Sequence, residues 1–217
     1  MSSQFPRSPR LRKGGLAAYR LPSPVPTIIP FQYNPEAVSR SIALRGSAGG
    51  GRGESRRTSG PPDETLTFTI EIDAADQLEM PGSNPVTVAL GLHPVIAALE
   101  TLMYPQSALV TLNEALALGG IGFIAAEQAP LTLLIWGAAR VLPVRLESLT
   151  IKEQAFDANL NPIRVSADIS LKVQTYRDLE MSNPAYWVYM AGYVQKEVLA
   201  TANTLGSSAG IADMLPI

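Results

Sequence analysis

The side chains that could carry chemistry in this sequence are few, and their spacing assembles no catalytic set. His93 is the one histidine among 217 residues, and there is no cysteine. This excludes thiolate nucleophiles, disulfides, Cys-based zinc sites and multi-histidine metal sites, and leaves any Ser-His-Asp relay dependent on His93 alone. His93 stands directly before Pro94 at a helix start, which reads as a capping or packing position. The run GSAGGGRGESRRTSG beginning at Gly46 has the glycines of a phosphate cradle. It lacks the lysine of a P-loop and the strand-then-helix flanks, so it reads as a loop. Glu71, Asp73, Asp76 and Glu79 gather near one strand end, either as a cation site or, more ordinarily, as a solvated face. Trp136 and Trp187 read as core or interface residues rather than ligand stackers. No catalytic, cofactor-binding or metal-ligating residue is expected, and no cofactor.

Charge is distributed unevenly. Residues 1–60 hold ten Lys/Arg against two acids, Glu36 and Glu54, which leaves seven bases and seventeen acids for the rest. A basic front end of this kind attaches to nucleic acid or to an acidic surface, such as the body of a neighbouring copy. Arg10, Arg12, Lys13, Arg56 and Arg57 are its candidate contacts. The N-terminus has no apolar run after its basic residues, so it does not read as a signal peptide. The longest apolar stretch, 109–136, is broken by Asn113, Glu114, Glu127, Gln128 and Pro130. No membrane insertion is expected, and the chain is read as soluble.

The elements that would position these residues divide the chain into a basic low-complexity arm (1–25), a β domain (26–180) and a C-terminal helix and tail (181–217). The arm is expected to extend without contacts, apart from a weak apolar patch at 16–21. Residues 27–33 read as a strand that Pro30 confines to an edge or a bulge, and 38–44 as a second. Residues 46–62 form a Gly/Arg/Ser loop. In 64–73, Leu66, Phe68, Ile70 and Ile72 alternate with Thr65, Thr67, Thr69 and Glu71, a clean half-buried strand. Residues 91–104 carry a helical stripe ended by Pro105. The segment 107–129 fits either a hairpin or a loop with a short helix. Residues 131–136 suit a buried strand. In 140–153 the apolar phase slips by one around Glu147-Ser148, which predicts a β-bulge. A turn at 157–162 leads into a long alternating strand, 163–176, so that the two form a coiled hairpin. Asn183-Pro184 starts a second helix. Its face Trp187, Met190, Ala191, Val194 and Val198 is expected to pack on the sheet. Tyr186, Tyr189 and Tyr193 are then left as interface candidates.

An ordered series of short motifs carries a resemblance. It begins with Ile29-Pro30-Phe31-Gln32-Tyr33-Asn34-Pro35, a Gly-rich gap, and Glu64 to Ala74 with Asp76-Gln77-Leu78. It continues with Leu92-His93-Pro94, Tyr104-Pro105, Trp136-Gly137, Leu142-Pro143-Val144 and the stretch from Gln154 to Ile163. Over about residues 27–180 this is similar to the N-terminal domain of contractile-injection-system (phage-tail-like) tube proteins. The resemblance implies a mainly β fold with flanking helices (α+β), a tube-type two-sheet β-barrel with a long β-hairpin. It implies six copies in a ring around a β-lined channel, at the inner tube or its junction with baseplate and spike. The expected partners are therefore the chain itself and the inner tube, baseplate and spike proteins. The expected location is the bacterial cytoplasm during assembly and then the assembled particle, retained or released. Many members of the group carry a C-terminal LysM module, whereas the residues after Tyr176 read here as a helix and a tail. The threonine and serine rows at 64–73 and 163–176 suit a wet channel wall. The alternative is a soluble β-domain binding module whose basic arm engages nucleic acid or an acidic partner, with nucleic acid the less expected.

Overall fold

The computed structural model describes residues 12–20, 25–45, 60–120, 128–137 and 139–206. The fold is α+β and mainly β. Its strands are β1 (Gly15–Tyr19), β2 (Thr27–Pro30), β3 (Ser39–Ala43), β4 (Asp63–Asp73), β5 (Leu131–Ile135), β6 (Val141–Phe156) and β7 (Pro162–Val173). They form one sheet in the order β2-β1-β5-β6-β7-β4-β3, with every neighbouring pair antiparallel. The helices are α1 (Ala75–Leu78), α2 (Pro85–Leu90), α3 (His93–Glu100), α4 (Ser107–Leu118) and α5 (Pro184–Gly206).

Strict alternation builds the centre of this sheet. β4 turns Leu66, Phe68, Ile70 and Ile72 inward, and β7 turns Val165, Ala167, Ile169, Leu171 and Val173 the same way. β6 matches β7 with Leu146 opposite Leu171. The register then shifts between Leu146 and Ser148, and Leu149 lies opposite Ile169. The bulge expected at Glu147-Ser148 is therefore present. It keeps apolar residues on one face while the sequence changes phase.

The sheet is curled but does not close. Five ladders separate β2 from β4, which in a flat sheet is ~24 Å at ~4.8 Å per ladder. Yet the ring of Phe31, just after β2, lies 5.6 Å from that of Phe68 on β4, and Trp136 sits 6.1 Å from both. The apolar face thus folds onto itself, with Ile96 and Leu99 of α3 joining the same core. Among the described residues no ladder joins β2 to β3, so the expected two-sheet barrel is instead a single open sheet with two free edges. Pro30, at the end of β2, has no N–H to extend a ladder.

Two other expectations are corrected. Residues 15–19, placed in an extended arm with only a weak apolar patch at 16–21, form β1 inside the sheet, hydrogen-bonded to β2 on one side and β5 on the other. A Cβ on Gly15 would lie 2.8 Å from the Ile29 carbonyl oxygen, so this close pairing requires glycine. The helix expected over 91–104 is shorter: Gly91 (φ +55°) delays its start and separates it from α2, and it ends at Glu100. The undecided segment 107–129 contains α4.

Gly91 is where the helices lock to the β6–β7 hairpin. The Leu92 amide donates to the Pro162 carbonyl at 2.9 Å. A Cβ on Gly91 would meet that same oxygen at 2.6 Å. We expect Gly91→Ala to cost roughly 2 kcal/mol or more, since clash and positive φ act together. Thermal denaturation checks this, with a Tm lower by roughly 5 °C; an unchanged Tm would show that the junction yields freely.

Candidate functional site: the polar face and the open edges

The face of the sheet outside the curl is a cross-strand array of hydroxyl and charged groups. Thr67 lies opposite Ser170, which lies opposite Ser148; Thr69 lies opposite Asp168, which lies opposite Thr150. Most of its charges are paired on the face itself. Lys152 Nζ sits 2.9 Å from Asp168 Oδ2, and Thr69 Oγ1 donates to Asp168 Oδ1 at 2.7 Å. Arg164 pairs with Asp73 at 2.8 Å, and Lys172 approaches Asp63 at 3.4 Å. The loop after β2, including Tyr33 and Glu36, borders this array to enclose an open groove of about 860 Å³.

These contacts set the acid response of the fold. Asp63 is held below its ordinary pKa by its hydrogen bond from Arg45, and Asp168 by Lys152 and then Thr69. Asp73 is lowered first by the Ala75 amide and then by Arg164. Asp157 is lowered by the side chain and amide of Asn161 in the hairpin turn. A depressed folded pKa contributes stability above the unfolded value of ~3.9, which is lost as pH falls through the folded values. We expect Tm to hold from neutral pH down to about 4.5 and to fall progressively below about 4. A Tm constant to pH 2.5 would contradict this assignment.

Among the described residues neither sheet edge carries a further strand, and the two differ in exposure. β3 is exposed at all five residues, including Ile42 at 52 %, and Leu44 just beyond it is 74 % exposed. It is held by its ladder to β4 and by Arg40, whose Nε lies 2.7 Å from Oε1 of buried Glu64. That oxygen is close enough for an ion pair but is not aligned as a hydrogen-bond acceptor. Lys196 of α5 donates to the other Glu64 oxygen at 3.0 Å, tying the C-terminal helix to the β3 side of the sheet. β2, at the opposite end, buries Ile29 and exposes Ile28 at 66 %.

The interface residues expected from sequence are placed unequally. Arg10, Arg56 and Arg57 lie outside the described residues, and Arg12 and Lys13 are exposed. Tyr189 is buried on the sheet side of α5, with its ring stacked on that of Tyr193 and near Tyr176; Tyr186 is half-buried and Tyr193 is 46 % exposed. Of the face expected to pack, Met190 does lie against the core, but the rest is turned away. Ala185 and Tyr189 face the sheet, whereas Trp187, Val194 and Val198 face outward. Gly192 lies on the packed side, where a Cβ would stand 3.9 Å from the Val141 carbonyl. His93 begins α3 near the hairpin turn that Asp157 organises. Among the described residues no group of three or more His, Cys, Asp or Glu could hold a metal ion, and no helix is long and apolar enough to cross a membrane.

Two residues of the 29–35 run act as fasteners. The Gln32 side-chain amide makes both hydrogen bonds of a strand with the Asp73 backbone, each 2.8 Å, and bridges the gap between β2 and the end of β4. Asn34 accepts from the Gly14 amide at 2.9 Å and donates to the Arg12 carbonyl at 3.0 Å. In the sequence Asn34 reads as a turn signal with Pro35 and Gln32 as part of the motif alone; the signal for their fastening role is two amide side chains beside a turn, able to replace missing ladder partners. No protein-family model matches the chain, and no curated protein matches it.

Proposed function

We propose that this chain is a structural subunit of a contractile injection system, a ring layer of six copies in the inner tube or at its junction with baseplate and spike. The observation that carries the reading is the pair of bare edges at opposite ends of one curled sheet, above all β3, exposed along its whole length. An exposed strand edge is a template for another strand. Pairing β3 of one copy with β2 of the next uses two different surfaces, so repetition closes as a ring or runs on as a filament. Closure joins the curled sheets into one tube-type wall. The threonine, serine and ion-paired face of β4, β7 and β6 then lines a wet channel. Because Asp168 and Asp73 are already paired there, the wall exerts little net pull on passing cargo. The ordered motif series supports the family resemblance, since Gln32, Asn34, Leu92 and Pro162 all secure this architecture.

The subunit is then made in the bacterial cytoplasm and incorporated into a phage-tail-like particle beside tube, baseplate and spike proteins. Imaging the purified native particle with this subunit labelled tests the assignment. Label in a ring at or near the tube–baseplate junction is expected. Label absent from such particles would overturn it.

A further inference from the structure

We infer that helix α4 of one copy packs along helix α5 of the next, an interface that rests on the ring reading above and names a second contact within it. α4 half-buries Leu109, Val110 and Leu116 beside Asn113 but leaves a second apolar stripe uncovered in an isolated subunit. Asn113 is its buried residue, whereas Leu112 is 49 % exposed and Leu118 91 % exposed. Glu114 is its one charged residue, and the helix has no extensive packing along another helix or strand of the described chain. A 12-residue helix is marginal in water without such packing.

α5 has the matching defect. Trp187, Val194 and Val198 are 59 %, 52 % and 59 % exposed, with Ala191 also outward between them. Steps of four, three and four residues are the seam spacing by which one helix lies along another. The packing of α5 on its own sheet is on β6, and its side chains from 196 to 203 are all exposed. The two seams also agree in length. α4 spans ~18 Å and the α5 seam ~17 Å at ~1.5 Å per residue.

One heterologous contact covers both faces at every junction of a ring. Pairing α5 with α5 would be isologous, would close a dimer and would leave α4 bare. No charged residue stands in the α5 seam, so covering it strands no ion in a dry interface.

The cysteine-free chain allows a direct test. Leu112→Cys and Val194→Cys are made as separate full-length variants, both at exposed positions, and native-like Tm is verified for each. They are mixed and treated with a short bis-maleimide, which spans small differences in helix register. We expect a covalent dimer from the mixture and none from either variant alone. The double variant is expected to give a ladder that ends in a closed species. A dimer from Val194→Cys alone as abundant as from the mixture shows α5 against α5 and overturns the proposal. No dimer in the mixture, while native mass still reports six copies, overturns the helix contact and leaves the ring standing. A dimer in the mixture with an open-ended ladder upholds the helix contact and removes the closed ring.

Discussion

Ile169→Asp is expected to abolish the native fold rather than merely weaken it. Ile169 is 2 % exposed and lies between Phe68 of β4 and Leu149 of β6 in the ladder that carries the core. A carboxylate there finds no cation on the apolar face, and lost packing adds to its desolvation, together several kcal/mol. A domain typically has about 5–15 kcal/mol in total, so most of that margin goes. Ile169→Val removes one methyl group and should cost only about 1 kcal/mol. Circular dichroism and urea titration of the pair give the comparison. Cooperative unfolding of the Ile169→Asp variant with near-native Tm would mean that β7 does not hold the core together.

Ile42→Lys should do the opposite: spare the subunit and remove the assembly. Ile42 is 52 % exposed on an edge strand whose residues are exposed throughout, so its replacement should change stability by no more than about 0.5 kcal/mol. Lysine on an edge is a device by which proteins block strand addition. In a closed ring the substitution recurs at every junction, so even a modest penalty per contact multiplies. We expect a folded monomer by size-exclusion chromatography and thermal melting. Ring formation at the wild-type concentration would show that β3 is not a joint between copies.

The elements readable in the sequence were those with long, one-sided alternation. β4, β7 and the shifted phase of β6 each repeat the pattern often enough for the buried face to be evident, and the bulge was visible as a broken alternation. β1 was not readable. In Gly-Leu-Ala-Ala-Tyr the glycine and two alanines have weak β preference and the run is too short to show alternation, so its strand state is imposed by β2 and β5 pairing on either side. The start of α5 was legible in Asn183-Pro184, but its orientation was not. Periodicity marks two adjoining apolar stripes equally, and the choice falls to tertiary contacts: Tyr189 under the helix, Gly192 near Val141 and Lys196 reaching Glu64. The hydroxyl-rich face was visible as a row of residue types. Its ion pairs were not, because Lys152 with Asp168 and Arg164 with Asp73 depend on cross-strand register. Pro30 marked β2 as an edge strand, but that the sheet stays open was hidden. Whether a sheet closes depends on its last strand finding its first, and here Gln32 bridges to Asp73 without a β2–β3 ladder.

Native mass spectrometry of the purified full chain, sprayed from volatile buffer over a range of concentrations, tests the central claim most directly. The ring account predicts a dominant species at about six times the 23.2 kDa chain mass, shifting to monomer with Ile42→Lys. A strictly monomeric, dimeric or three-fold species at every concentration, and in the assembled particle as well, would contradict it.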